Sequence, residues 1–454
     1  MKKISIFAMA FAAMLLLVSC GSAGSTTSSE ASRSSENDAE IAIRVGSSTA
    51  TAEELNSVVA GYCEMIGIDM SDETYADYIN EMKYDVLNEY TNELVQSEKA
   101  NELGFDQLSD EDVEACEKEI ADFKASVSAY YSEQVRADEE FEGATDDVIN
   151  AEVERQCQLY YEENGYTEDS MMELVSQSKI LENLYESQTA DITVTDEDVK
   201  AEYDRLVAED KSNYEADYSA FESVASYGDE QYYYAPEGFR MIKQIFIAFD
   251  DSADDEAAEA TTESEADSAV TAEQKQAAKE KATAILEGLT AENFDSIMQE
   301  KSEDPGSAAY PDGYAVSPDA SSTGYYEAFT KGAAALQNIG DISGLIESEE
   351  GYHILMYAGD IAAGAVDYDT VRESLESDLL TTKQDEHFES LIEEWRSQMT
   401  VEQFPEAIGL TEGDILTIEE AQEAADDAAV ETGSIDESDI EIIEEDGETA
   451  EYTE

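Results

Sequence analysis

Tyr232-Tyr233-Tyr234-Ala235-Pro236-Glu237-Gly238 leads shortly into Met241-Ile242-Lys243-Gln244-Ile245-Phe246-Ile247. The first stretch ends in turn chemistry, because Pro cannot continue a helix and Gly relaxes the backbone. The second is a short apolar run rich in β-branched residues, the pattern of a buried strand. Residues before the break carry helical periodicity, and residues after it mix strands with helices. The class implied is therefore α+β, with a boundary between 237 and 238.

Upstream, residues 41–237 read as a helical domain. Ile41 to Val45 is a short strand-like run turning at Gly46-Ser47-Ser48. The spacing predicts a helix over 75–103, where Ile79, Met82, Val86, Tyr90 and Leu94 recur at three and four to make one apolar stripe. Gly104 stops it. A restart follows at Ser109-Asp110-Glu111-Asp112-Val113, and the phrase returns as Thr195-Asp196-Glu197-Asp198-Val199. In both, a hydroxyl N-cap precedes acids that favour the positive end of the helix dipole.

Downstream, residues 238–362 form a second domain. Within it, 250–273 is an acidic, Ala/Ser/Thr-rich insert without Lys or Arg, read as a disordered loop. A helix over 273–289 and a strand over Tyr352–Tyr357 follow. Residues 363–403 return to helix, with Phe388, Leu391, Ile392, Trp395 and Met399 on one face. Residues 404–454 are expected to be an acidic tail, since no basic residue follows Arg396.

The amino end reads as an export signal over 1–19. Lys2 and Lys3 precede an uncharged apolar run, Ile4 to Val18, that ends in Leu17-Val18-Ser19-Cys20-Gly21. At ~1.5 Å per residue that run spans about 22 Å, short of the ~30 Å hydrocarbon core, so it suits a cleaved signal better than a spanning helix. The sequence at Cys20 fits the bacterial lipobox, which makes Cys20 the expected lipidation site and the lipid the expected membrane anchor, on the extracytoplasmic face of the cell membrane. Residues 20–40, mostly small and polar, are a tether.

With 110 acidic against 24 basic residues, the net charge is −86. Such a surface repels nucleic acid, so no nucleic-acid partner is expected. Cys63, Cys116 and Cys157 have no metal-type spacing, and the only histidines are His353 and His387. Neither a metal site nor a cofactor is expected. Two of the thiols could pair in an exported protein, or all three could be buried and free.

Four pieces of 238–362 resemble, in the family's order, a parvulin-type (PpiC-type) peptidyl-prolyl isomerase domain. They are the strand at Arg240–Ile247; Ser302-Glu303-Asp304-Pro305-Gly306-Ser307; Phe329-Thr330-Lys331-Gly332-Ala333-Ala334-Ala335-Leu336 running on to Gly340-Asp341-Ile342-Ser343; and Glu350-Gly351-Tyr352-His353-Ile354. The flanking helices resemble those of PrsA-like and SurA-like foldases, in which a C-terminal helix completes an N-terminal helical chaperone domain. The resemblance implies a small antiparallel sheet with helices, inserted into that chaperone domain. It implies that Phe329 and Tyr325 line a proline pocket, Tyr325 standing where the family often has Met. It also implies catalytic positions at Asp304, His353 and Gln244, the last replacing the first of two family histidines.

Rotation about a peptide C–N bond faces a barrier of ~18–20 kcal/mol, and X-Pro bonds exchange in roughly 10–100 s without help. A catalyst needs only to bind the twisted amide better than the planar one. The function implied is a membrane-anchored foldase that isomerises X-Pro bonds of unfolded or newly exported polypeptides. The alternative is a parvulin-fold chaperone that only binds unfolded chains. The acidic insert argues against a phosphopeptide preference.

Overall fold

A computed structural model describes residues 41–433 except 139, 140, 142, 229, 230, 250–269 and 319–323. The signal, Cys20, the tether, most of the acidic insert and the end of the tail lie outside the described residues.

The chain divides into two compact units. One runs to Ile192 and resumes at Lys383; the other is Thr193–Thr382. The first begins with a hairpin, β1 (Ile41–Val45) and β2 (Ser48–Thr51). Five helices follow: α1 (Ala52–Met65), α2 (Ala76–Leu103), α3 (Asp110–Ala137), α4 (Asp146–Glu163) and α5 (Glu168–Thr189). Their ends obey local chemistry. Gly104 closes α2 at φ 86°, a left-handed conformation that costs glycine little. Ser109 caps the start of α3, as the sequence implied, and Asp112 returns the bond to complete a reciprocal capping box.

The second unit opens with α6 (Asp196–Ala216), capped by the Thr195–Asp198 box, and α7 (Tyr218–Tyr227). Then come β3 (Tyr234–Ala235), β4 (Arg240–Ala248), α8 (Ala272–Glu287), α9 (Phe294–Lys301), α10 (Gly306–Ala309), β5 (Tyr314–Val316), α11 (Glu327–Ala335), β6 (Ile346–Glu347), β7 (Gly351–Asp360) and β8 (Gly364–Ala365). The main sheet has the order β5-β4-β7-β6, all antiparallel. The last elements are α12 (Tyr368–Gln398), β9 (Val401–Gln403) and α13 (Glu412–Gly433).

The N-terminal and C-terminal segments share one core. Ile43, Leu55, Val59, Val86, Leu87, Val95 and Leu184 are buried with Phe388, Ile392 and Trp395 of α12. Burying such side chains contributes roughly 1.5–3 kcal/mol each. β9 pairs with β1, Val45 opposite Val401, to give the order β2-β1-β9. The fold is thus α+β: a helical domain completed by the C-terminal helix, with a small antiparallel sheet domain inserted.

Two boundaries differ from the sequence reading. The sheet unit begins at Thr193, ahead of the 237–238 break. Helix α6 is tied to it by the Asp210 carboxylate, which accepts from the amides of Tyr233 and Tyr234, and by Val199 and Tyr203, which pack with Val371 and Leu375 of α12. The expectation of a tail from 404 also fails at its start. Residues 401–403 are strand, Phe404 donates its amide to the Ala42 carbonyl at 2.8 Å, and Ile408 and Leu410 are buried in the first core. Further on, α13 is helical, and Tyr84 donates to Glu419 at 3.1 Å. Charge dominated the reading of this stretch, while a few spaced apolar residues decide where its first part goes. Cys63, Cys116 and Cys157 are free and buried.

Candidate functional site

Side chains alternate along β4 and β7, so each strand sends one set to each face. In this register Phe246 lies opposite His353, Gln244 opposite Leu355 and Ile242 opposite Tyr357. The other face carries Ile245, Ile247, Ile354 and Met356, packed under Ala278 and Ala282 of α8 and Phe294 and Met298 of α9. Gln244 and His353 therefore share the face that looks toward α11 and β5. Its core is Ile242, Tyr314, Val316, Phe329, Ala333, Leu336, Leu355 and Tyr357. Gly332 allows α11 this close: a Cβ there would meet Ile346 Cδ1 at 2.2 Å.

The loop after α9 brings in Asp304. It is fastened to the edge of β4, where Glu303 donates its amide to the Phe246 carbonyl at 2.8 Å and Phe246 donates to Ser302 Oγ at 3.1 Å. Asp304 Oδ1 accepts from the Gly306 amide at 3.1 Å. Its Oδ2 accepts from Gln244 Nε2 at 2.8 Å, Tyr314 OH at 2.8 Å and Ser307 Oγ at 3.2 Å. Gly306 has to be glycine for this, since a Cβ there would sit 2.0 Å from the Tyr314 hydroxyl.

The hydrogen-bond polarity follows from Asp304. An ionised carboxylate only accepts, so the Gln244 amide must present its NH₂ to it and turn Oε1 the other way. That oxygen lies 3.0 Å from His353 Nδ1, which must then carry the proton. His353 Nε2, 2.9 Å from Ser348 Oγ, is left to accept from the serine hydroxyl. The His353 ring is 5% exposed. Burial pushes its pKa below the usual 6.5, against the opposing pull of Asp304 and Glu350. The neutral Nδ1–H tautomer fits both facts.

Beside this chain stands an aromatic cup. Phe329, 3% exposed on α11, has its ring 5.3 Å from Tyr325, 6.3 Å from Tyr314 and 6.3 Å from His353. The Tyr325 hydroxyl shares a 2.8 Å hydrogen bond with Ser226. Burial first, and the bond to Asp304 second, push the Tyr314 hydroxyl well above the ordinary phenol pKa, so it donates across the physiological range.

All five residues singled out in this domain, Gln244, Asp304, His353, Phe329 and Tyr325, thus gather on one face. Cys20 lies outside the described residues. Tyr314 and Ser348 escaped the sequence reading, and Ser307 entered it only as the end of the loop motif, with no role assigned. Tyr-Ala-Val at 314–316 is too short a run to stand out, and a lone serine carries no local signal. Among the described residues, no three His, Cys, Asp or Glu side chains come together as ligands for a metal ion.

Residues 245–359 match the family model described as the rotamase, or PPIC-type PPIase, domain. The chain carries a parvulin-type rotamase domain. The match takes in Asp304, Phe329 and His353 and begins one residue after Gln244. Among solved structures, a SurA-like chaperone of Campylobacter jejuni shares 18% identity at a TM-score of 0.26, covering 62% of this chain and 95% of that one. PrsA of Bacillus subtilis shares 17% identity at a TM-score of 0.22, covering 80% and 92%. The foldase PrsA of Streptococcus pneumoniae shares 16% at 0.24, covering 78% and 91%. No curated protein matches the chain.

Proposed function

We propose that this chain is a peptidyl-prolyl cis–trans isomerase acting on X-Pro bonds of unfolded, newly exported polypeptides. In this reading it is held at the extracytoplasmic face of a membrane by a lipid on Cys20, and residues 238–362 carry the parvulin-like chemistry. The observation that carries it is the unbroken hydrogen-bonded chain Ser348–His353–Gln244–Asp304–Tyr314 set against the Phe329 cup.

Isomerisation breaks no covalent bond. A proline ring seated on Phe329, with Tyr325 and Tyr314 beside it, would leave the preceding amide at the polar chain. Twisting removes amide resonance, so the carbonyl oxygen sheds negative charge and the nitrogen gains a lone pair. A carboxylate at the edge of the cup favours that redistribution, because it repels the planar form's oxygen more than the twisted form's. Tyr314, Gln244 and Ser307 hold the carboxylate in place, so little reorganisation is needed.

A second reading, a chaperone that binds without turnover, draws on Gln244. An amide cannot titrate, so a paired-histidine network cannot form in this chain. A proline-isomerisation assay of the full-length protein on the tetrapeptide Ala-Ala-Pro-Phe separates the two. We expect turnover, lost in Phe329→Ala and raised on the order of tenfold in Gln244→His, short of the 10²–10⁴ of a complete acid–base group. Phosphoserine before proline should not raise the rate. A protein that suppresses aggregation of an unfolded client but shows no isomerisation, with Gln244→His equally silent, would establish the binding-only reading.

A further inference from the structure

Helix α7 lies upstream of the family match, yet its Ser226 bonds directly to the cup and its Glu222 and Tyr227 meet residues beside it. Glu222 and Ser226 stand four apart, on one face of the helix. Glu222 is 2% exposed. A buried carboxylate is costly unless hydrogen-bonded, and this one accepts from two backbone amides of a single connection, Ser317 at 2.7 Å and Gly324 at 3.0 Å. Those residues sit just after β5 and just before Tyr325. Ser226 Oγ accepts from the Ala315 amide of β5 at 2.9 Å and shares its 2.8 Å bond with the Tyr325 hydroxyl. The Tyr227 ring lies edge-on to Tyr310 at 5.0 Å, and Tyr310 in turn lies 6.4 Å from Tyr314. The helix is itself anchored through Phe221, fully buried and 4.7 Å from Phe239.

We propose that α7 is the frame of the proline cup, with Ser226 and Glu222 as positioning residues that set where Tyr325 stands over Phe329. Glu222 fixes both ends of the connection that carries Tyr325, and Ser226 fixes the far tip of the ring. Together they determine how closely the cup fits a proline ring, and they make Thr193–Thr382 the functional unit in place of the shorter matched segment. The inference rests on the isomerase reading for its substrate, but peptide affinity can judge it separately.

The test is a double-mutant cycle in the full-length protein with Ser226→Ala, Tyr325→Phe and the pair, together with Glu222→Gln. KM and kcat are read from isomerisation of Ala-Ala-Pro-Phe, Kd from NMR titration with the same peptide, and folding from thermal melting. Tyr325→Phe should raise KM and Kd roughly fivefold, the size of one lost hydrogen bond, and Ser226→Ala, which also leaves the Ala315 amide without its acceptor, at least as much, while kcat stays near wild type. The pair should do no worse than Ser226→Ala alone, because that variant has already broken the bond to Tyr325 together with the one from the Ala315 amide. Glu222→Gln should raise KM in the same way. Effects that multiply in the pair, or a lowered melting temperature with KM and Kd unchanged, would reduce α7 to structural support and overturn the proposal. If wild type binds the peptide without turning it over, the isomerase reading falls and the cycle in Kd still decides the role of α7. A wild type that neither binds nor turns over the peptide overturns both.

Discussion

Gln244 makes the polar chain directional. Its amide has a donating end and an accepting end, and Asp304 dictates which faces which way. His353 is consequently held neutral with its proton on Nδ1, and burial holds its folded pKa below 6.5. The sign of the linkage follows. The unfolded chain binds a proton at His353 at a higher pH than the folded chain does. Stability from this group is therefore complete above about pH 6.5 and is lost as pH falls toward the depressed folded value. Turnover follows the folded protein's own ionisation: it should stay level through about pH 6.5 and decline only as pH nears the depressed folded value, where a second proton on Nε2 displaces the hydrogen bond that the Ser348 hydroxyl donates. With only two histidines in the chain, NMR of the ring protons gives a direct check. His353 should titrate below 6.5, and a His353 that titrates above 6.5 would contradict the assignment.

At the scale of elements, α12 is a single helix whose two ends serve different cores, Val371 and Leu375 in one and Phe388, Ile392 and Trp395 in the other. Phe388 lies edge-on to Tyr185 at 5.1 Å and to Trp395 at 5.7 Å. Phe388→Ala should cost the helical unit about 3–5 kcal/mol. Trp395 is the only tryptophan, so its fluorescence during urea unfolding reports on that unit alone, and an unchanged midpoint would contradict the packing. This apolar face was legible in the sequence because its spacing is helical, and so were β1, β4, β7 and the capped starts of α3 and α6. The polar core of the site was legible through motif order, and alternation along β4 and β7 explains why Gln244 and His353 meet. The roles of α7 and β5 were not legible. Glu222, Ser226 and Tyr314 act through bonds to residues about 10 to 100 positions away, and no local periodicity marks such partners. The buried start of the supposed tail was hidden for a related reason: Phe404, Ile408 and Leu410 are sparse among acids, and it takes the assembled β1 edge, α1 and α2 to give them somewhere to go.

For the molecule as a whole, 24 basic against 110 acidic residues give a net charge of −86, which an anionic membrane surface repels, so in the proposed reading attachment rests on the lipid at Cys20. Cys20→Ala should move the protein from the membrane fraction to the soluble fraction or leave the precursor uncleaved. Fractionation with membranes after normal processing would contradict the anchor. The pairing of β1 with β9 bears on how the chain is made. Synthesis delivers the amino end first. Ile43 then waits for Gln403, its partner in the sheet, until nearly the whole polypeptide has appeared. The strands of the β5-β4-β7-β6 sheet are all present by Asp360, so that sheet has everything it needs while β1, paired with β2 on one side, still lacks its second neighbour. The first strand to emerge is among the last to be paired on both sides, and the segment born in the middle is the one ready to mature first.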